Sequence, residues 1–295
     1  MSELGSVSAE MAVWDEQSVW SQAANNLKRK IGWARAASLL LGIAAAALGT
    51  VAAQTMNWNE TVGKSAAFAS ALAAGLIPLL AGRLGATTIE NWTRLRSVSE
   101  AMKHEVYAFL AGVTPYRTQE ARSALTGKID QLKADSSDLL PHTTGITPVR
   151  RELPAVTDIA SYTEIRVKGQ ISGYYRPKAE WMGRRAATAR RVQLALGALG
   201  ALLGALAGAF GLQHAAAWVA VVATVGTAIS VHALAAKYDY QHIEFTRTAA
   251  ELQRLLGQRR LASEGDPLSE DDFVNQCEQV ISILNDAWMA KWNTQ

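Results

Sequence analysis

The chain has 295 residues, of which 49% are hydrophobic and 19% charged, and its formal net charge is +3. The apolar content is above that of an average soluble protein, and the small positive charge, without any nucleic-acid-binding motif, excludes DNA or RNA as an expected partner. The single cysteine, Cys277, excludes an intrachain disulfide framework and fits a reducing compartment.

Two apolar segments in the first half, Ala36–Ala53 and Ala66–Leu84, predict a pair of membrane-spanning helices. A helix rises about 1.5 Å per residue, so about 20 apolar residues cross a hydrocarbon core of about 30 Å. An amphipathic entry helix over Trp14–Lys30 precedes the pair, and an exit helix over Ile89–Leu110 follows it. Pro78 lies inside the second span and predicts a kink there.

The second half repeats this pattern. The segments Val192–Leu212 and Ala215–Ala236 predict the third and fourth spans, and no charged residue interrupts the third. The entry helix is predicted over Tyr162–Arg185, with an interruption at Pro177, and the exit helix over Tyr238–Leu255.

The two halves align at a constant spacing. Gly42 and Gly197 are 155 residues apart, as are Arg35 and Arg190, and after the hairpins the spacing becomes 151, as between Arg96 and Arg247. This repeat predicts an all-α membrane protein of tandem duplicated two-transmembrane hairpins, with four spans and long cytoplasmic amphipathic helices. A soluble helical bundle is the alternative; the mean hydropathy of +0.03 is compatible with it, but the uninterrupted third span argues against it.

The repeat also sets the expected domain boundaries. We divide the chain into a first two-transmembrane repeat with its entry and exit helices (1–134), a linker (135–156), a second repeat (157–262) and a C-terminal cytoplasmic helix (263–295). Ser269 is the predicted N-cap of that last helix, because an acidic residue follows three positions later.

The basic residues predict the orientation of the spans. Lysine and arginine favour the cytoplasmic side, and they flank the outer ends of both hairpins, whereas the first hairpin tip holds only Lys64 and the second tip none. We therefore expect a multi-pass protein of the inner (plasma) membrane with both termini in the cytoplasm, its basic flanks facing anionic lipid headgroups. The flanking residues are Lys28, Arg29, Lys30, Arg35, Arg94, Arg96, Arg184, Arg185, Arg190, Arg191 and Lys237.

Catalytic and cofactor motifs are missing from the sequence. It contains no Walker loop, dinucleotide fingerprint, zinc-ligand spacing or nucleophile elbow, so we expect no enzymatic activity, no cofactor and no metal site. Of the five histidines only His232 lies inside a span, close to its cytoplasmic end. An interfacial, hydrogen-bonded histidine is the preferred interpretation, and a pore or proton-transfer group is the alternative.

Small and hydroxyl residues supply the site candidates within the spans. Glycines at four-residue intervals allow close helix packing, and hydroxyl side chains either bond to their own helix or face water. The predicted helix-packing residues are Gly197, Gly200, Gly204 and Gly208, and the candidate pore-lining residues are Thr224, Thr227, Ser230 and His232.

Aromatic and polar residues recur every fourth position along the second entry helix. Tyr175 also aligns with Trp20 of the first entry helix, 155 residues earlier. Repeated aromatics at equivalent positions favour packing anchors between helices over a ligand stack. The predicted anchors on the cytoplasmic helices are Trp20, Tyr162, Arg166, Gln170, Tyr174 and Tyr175.

This run, followed by Arg184-Arg185 and a two-span hairpin, resembles the SLATT family, the SMODS and SLOG-associating two-transmembrane effector domains of bacteria. The resemblance is clearest from about Tyr162 to Leu256 and weaker over the first copy, about Trp14 to Leu110. It implies a membrane effector of bacterial conflict systems that oligomerises and forms pores when an associated cytoplasmic sensor of a nucleotide signal is triggered. It supplies no catalytic residue, and the chain carries no recognisable sensor domain.

Three functions remain open from the sequence. A regulated pore or ion channel, assembled as a homo-oligomer, is favoured by the helical spans and their small-residue stripes. A non-conducting scaffold or membrane-shaping protein is the alternative, since no charged lane crosses the bilayer. A transporter is least favoured, because no broken helix with a substrate site is evident beyond Pro78.

Overall fold

The computed structural model describes residues 8–82, 85–211, 213–261 and 267–292, without the side chains at 213, 267–269 and 283–292. Arg83, Leu84 and Leu212, at the ends of two predicted spans, lie outside the described residues. The described chain is helical and contains no strand, so the expected all-α membrane fold is confirmed. The helices are α1 (Ala9–Thr55), α2 (Glu60–Gly82), α3 (Ala86–Ala111), α4 (Ala121–Ala134), α5 (Leu140–Thr143), α6 (Ile159–Tyr162), α7 (Arg176–Phe210), α8 (Gln213–Ala236), α9 (Tyr238–Leu261) and α10 (Pro267–Trp292).

Four helical stretches are long and apolar enough to cross a membrane, which confirms the four predicted spans. They are Ala9–Thr55, Glu60–Gly82, Ile159–Phe210 and His214–Leu261. Three of them are much longer than a bilayer requires, because an amphipathic entry or exit helix continues into the apolar segment. Helix α2 contains Pro78 and extends beyond it to Gly82.

The second entry helix begins with a capping box and then changes its hydrogen-bonding pattern. The Asp158 carboxylate accepts a hydrogen bond from the Ser161 backbone N–H at 2.7 Å, and the Ser161 hydroxyl accepts one from the Asp158 N–H at 3.1 Å. π-Helical turns follow over Thr163–Lys168 and Ile171–Tyr175. The second of them ends two residues before Pro177, which has no N–H to donate, so the interruption expected there takes the form of a wider turn.

The C-terminal helix α10 starts earlier than predicted. It begins at Pro267, so Ser269 lies inside the helix and the N-cap assignment was wrong. Proline suits the first helical position because the N–H there has no partner within the helix and the ring already fixes a helical φ.

The chain forms two compact units, and each contains segments of both sequence repeats. The polar unit comprises Met1–Arg29, Ala86–Ala179 and Ile243–Gln295, and the hairpin unit comprises Lys30–Gly85 and Glu180–His242. Segments of similar polarity therefore group together in one compact unit, and neither unit coincides with one sequence repeat.

In the polar unit, α3 packs against both α4 and α10. Its inward face carries Leu95, Met102 and Val106, all fully buried. The extended linker lies along the first turns of α1: Trp14 donates its indole N–H to the Glu152 carbonyl at 3.1 Å, and Gln22 donates to the Thr147 carbonyl at 3.0 Å. The linker is thus held to α1 by side-chain hydrogen bonds, without a strand partner among the described residues.

In the hairpin unit, each pair of spans is joined by a hydrogen bond that involves a serine hydroxyl. Ser70 of α2 donates to the Ala45 carbonyl of α1 at 2.7 Å, and a side chain at Gly49 would meet the Ser70 hydroxyl at 3.2 Å. In the second hairpin, the Gln193 amide of α7 donates to the Ser230 hydroxyl of α8 at 2.8 Å. Interhelical hydrogen bonds of this kind hold helices together where the surroundings are apolar.

Candidate functional site

The candidate pore-lining hydroxyls of α8 do not share one face. Thr224 and Thr227 are exposed, and each donates to the carbonyl four residues earlier, at 2.8 and 3.0 Å. Ser230 is half-buried, donates to the Gly226 carbonyl at 2.9 Å and accepts from Gln193. The two threonines therefore face outward from the protomer, whereas Ser230 lies between α7 and α8.

His232 lies close to a tyrosine hydroxyl near the end of α8. Its Nε2 lies 3.3 Å from the hydroxyl of Tyr238, and the two rings are 6.2 Å apart at their centroids. The imidazole is half-buried in this contact. The side chain thus has a local hydrogen-bonding partner at the end of the span.

Of the four predicted packing glycines, the structure brings Gly200 to a neighbouring helix. A Cβ there would lie 3.6 Å from Val222 of α8, an ordinary contact distance. A Cβ at Gly197, Gly204 or Gly208 would meet nothing within 4 Å. The reason is helical phase: the residues of α7 that face α8 recur in alternating steps of three and four, as Gln193, Leu196 and Gly200 do, and the other three glycines are exposed.

The outward surface of the hairpin unit is strongly apolar. In the most apolar 18 residues of Ile159–Phe210, none is buried within the chain. Large exposed side chains occur on both hairpins, which is the surface expected of helices surrounded by lipid or by other copies of the chain. Among them are Leu40, Phe68, Leu72, Leu79, Leu194, Leu202, Phe210, Val231 and Leu234.

The polar unit contains a buried ion pair that the sequence did not predict. Arg166 donates through Nε and Nη2 to the two carboxylate oxygens of Glu278, at 2.8 and 2.9 Å, and both side chains are at most 2% exposed. The Tyr162 hydroxyl donates to the same carboxylate at 2.9 Å, and the guanidinium lies 4.4 Å from the ring centroid of Tyr107. Arg166 and Tyr162, predicted as packing anchors, are thus also polar partners of one carboxylate on α10.

Electrostatics keep this pair ionised. Burial alone disfavours the Glu278 carboxylate, but Arg166 outweighs it and holds the pKa of Glu278 below its ordinary value. Burial in the same region raises the pKa of the Cys277 thiol to about 12. A carboxylate that stays ionised and a thiol that stays protonated at neutral pH are not a general acid and a nucleophile. The arrangement links the second entry helix to α10.

A second ionic group, formed by residues of α3, lies beside the Arg166–Glu278 pair. Glu100 accepts from Lys103 at 3.0 Å and lies 3.2 Å from Arg96. Burial by itself would raise the pKa of Glu100. The two cations lower this pKa by more, so the net shift is downward. Within the residues described, no group of three or more His, Cys, Asp or Glu side chains is placed to hold a metal ion.

The other anchors are aromatic packing residues. Trp20 and Tyr175 are 1% and 2% exposed, whereas Tyr174 and Gln170 are half-buried. The rings of Tyr174 and Tyr175 contact Phe245 of α9, with centroid separations of 5.9 and 6.3 Å.

The sequence does contain a signal for Glu278, which was not predicted as a site residue. Glu278 falls on the apolar face of α10, where a buried charge requires a partner.

Two parts of the chain match known protein families. Residues 162–288 match the family described as SMODS and SLOG-associating 2TM effector domain 1, SLATT_1. The chain therefore carries a SLATT domain. Residues 18–124 match a second family, described only as a protein of unknown function, DUF4231. No curated protein and no solved structure matches the chain.

The SLATT match extends further than the sequence resemblance, which ended at about Leu256. It continues through α10 to residue 288 and so includes Glu278 as well as Tyr162 and Arg166. The buried ion pair consequently joins the first turns of the SLATT domain to its last helix. This protein is thus a membrane protein with a two-transmembrane effector domain.

Proposed function

We propose that this protein is an effector that acts as a regulated pore or ion channel, assembled as a homo-oligomer. The observation that supports it best is the outward position of Thr224 and Thr227 on an otherwise apolar span. Four apolar helices of one chain are too few to enclose a water-filled pore. Water and ions would therefore pass along an axis between copies of the chain, lined by these threonines.

The partners and orientation follow from the same proposal. We place both termini in the cytoplasm of a cell with this protein in its inner membrane, because basic residues flank the outer ends of both hairpins. The polar unit would then meet a cytoplasmic sensor protein, as the family description of association with SMODS and SLOG proteins suggests. No nucleic acid and no enzymatic step is part of the proposed function.

Ion flux from liposomes tests the proposal. The purified full-length chain is reconstituted into vesicles holding a fluorescent ion reporter, and the dye response is compared with that of protein-free vesicles. We expect flux from the assembled protein. The double variant Thr224→Val/Thr227→Val, which keeps the side-chain shape, should reduce flux, and Thr224→Ser/Thr227→Ser, which keeps the hydroxyls, should retain it. A monomer by mass measurement in mild detergent would reject assembly.

A non-conducting membrane scaffold is the second candidate. Both threonine hydroxyls donate hydrogen bonds to carbonyls of their own helix, which favours the scaffold. A hydroxyl with such a partner can face lipid and does not require the water of a pore. An oligomer that stays electrically silent, with Thr227→Leu unchanged in cells, would favour the scaffold over the channel.

A further inference from the structure

Helix α7 presents two different faces where it approaches its span. Met182 and Ala186 are buried on one face, and Gln193, two turns further, is half-buried on the same side. A side chain at Gly183 would meet the ring of His242 at 3.2 Å. This face of α7 is therefore covered by α8 and α9 within the hairpin unit.

The opposite face is exposed and changes from basic to apolar along its length. Arg184, Arg185 and Arg191, here called the basic stripe, are exposed and recur at helical spacing. Val192 and Leu199 follow on the same face and are 38% and 44% exposed. No charged residue occurs from 192 to 210, so the hydrocarbon boundary falls directly after the last arginine of the stripe.

One arginine of the stripe is oriented by a tryptophan. The guanidinium carbon of Arg185 lies 5.0 Å from the ring centroid of Trp181, one turn earlier on the same face, and Trp181 is 39% exposed. Stacking on an aromatic ring restricts the guanidinium plane while its N–H groups remain available to an anion. Tryptophan itself prefers the headgroup level of a bilayer.

The first hairpin does not reproduce this arrangement. At the repeat spacing of 155 residues, Trp181 corresponds to Asn26 and Arg191 to Ala36. The first hairpin has Trp33 and Arg35 directly before its span, but they are two residues apart and so lie on different sides of the helix. The one-turn spacing that brings Trp181 and Arg185 together is therefore a feature of the second hairpin that these equivalent positions lack.

We infer that the basic stripe of α7 is a binding site for an anionic phospholipid of the surrounding membrane. The stripe runs over eight residues, 184 to 191, and rises about 10.5 Å along the helix axis, which matches a phosphate-bearing headgroup and its immediate surroundings. Arg191 contacts the phosphate at the hydrocarbon boundary, Arg185 and Arg184 contact the outer part of the headgroup, and an acyl chain lies along Val192 and Leu199. Arginine suits this role because its fork of donors matches phosphate oxygens.

Nearby acidic groups leave this charge largely uncompensated. Glu180 lies 3.6 Å from Arg184, but both side chains are 70% exposed and such a surface pair is weak. Asp239 pairs at 2.7 Å with Arg190, which is outside the stripe. The stripe therefore keeps a net positive charge toward the lipid.

Native mass spectrometry of the full-length chain in mild detergent tests the inference. The protein is titrated with phosphatidylglycerol and, separately, with zwitterionic phosphatidylcholine that has the same acyl chains. We expect retained phosphatidylglycerol, and a loss of affinity of about tenfold or more in the triple variant Arg184→Gln/Arg185→Gln/Arg191→Gln. The matched control Arg122→Gln/Lys128→Gln/Arg260→Gln removes the same charge from exposed positions of the polar unit and should bind like wild type.

Several results would overturn the inference. They are equal retention of the two lipids by the wild-type chain, equal loss in the control, or displacement of the lipid by millimolar inorganic phosphate, which would indicate a site for the free anion. If the triple variant does not assemble, the single variant Arg191→Gln carries the test with a smaller expected loss of about fivefold. Lipid retention is measured without ion flux, so the result is independent of whether the protein conducts.

Discussion

The buried Arg166–Glu278 pair gives the sharpest test of how the polar unit is held together. Replacing Glu278 by Gln leaves the guanidinium of Arg166 buried at 2% exposure without the carboxylate that it contacts directly. Removing one partner of a buried ion pair costs about 3–5 kcal/mol, because the remaining charge stays desolvated without its hydrogen-bonded counter-ion. At about 2–4 °C per kcal/mol for a domain of this size, we expect the melting temperature to fall by about 10 °C.

The assay is thermal unfolding of the detergent-solubilised full chain, followed by circular dichroism. The surface pair Arg254–Glu251, separated by 2.6 Å on α9, supplies the matched control: Glu251→Gln makes the same chemical change at an exposed site and should leave the melting temperature unchanged. The double variant Arg166→Met/Glu278→Leu removes both charges and should recover most of the loss. A melting temperature of Glu278→Gln equal to wild type would refute the reasoning, because the pair would then not be shielded from water.

The remaining predictions concern pH, packing and topology. Because Arg166 lowers the pKa of Glu278 in the folded state, this contribution to stability is present above the ordinary carboxyl pKa and is lost as pH falls through the folded-state value; Glu278→Gln should flatten the acid limb of a stability profile. Gly200→Leu should destabilise the protomer by about 1–3 kcal/mol through overpacking against α8, whereas Gly204→Leu, which meets nothing in the protomer, should leave the melting temperature unchanged and alter only oligomer size. Reporter fusions after Trp58 and after Leu255 should report opposite sides of the membrane, and the same side for both would contradict the four-span topology.

The contrast between Gly200 and Gly204 also illustrates where sequence reasoning stopped. Both glycines belong to one small-residue line at four-residue spacing, and the pattern alone assigns them the same role. An α-helix turns through about 100° per residue, so a line at i+4 drifts by about 40° per step and stays against one neighbour only where the crossing angle of the two helices compensates for that drift. Which glycine meets α8 depends on the phase at which the two spans pack, and that phase is not encoded locally.

Features that depend on the local composition of a segment are predictable from the amino-acid sequence. The uncharged run from Val192 specifies a span because about 20 apolar residues are enough to cross the hydrocarbon core, whatever else the chain does. The repeat spacing likewise specifies two hairpins, and the recurring aromatic positions give the buried ring of Tyr175.

Contacts between distant segments depend on how the helices pack. Arg166 and Glu278 are 112 residues apart, and their bidentate contact exists because α10 packs against α3 beside the second entry helix. The grouping of both repeats into a polar unit and a hairpin unit has the same origin. Buried charges must find a partner to offset lost hydration, but the sequence names only that need, whereas the packing of the helices selects the partner.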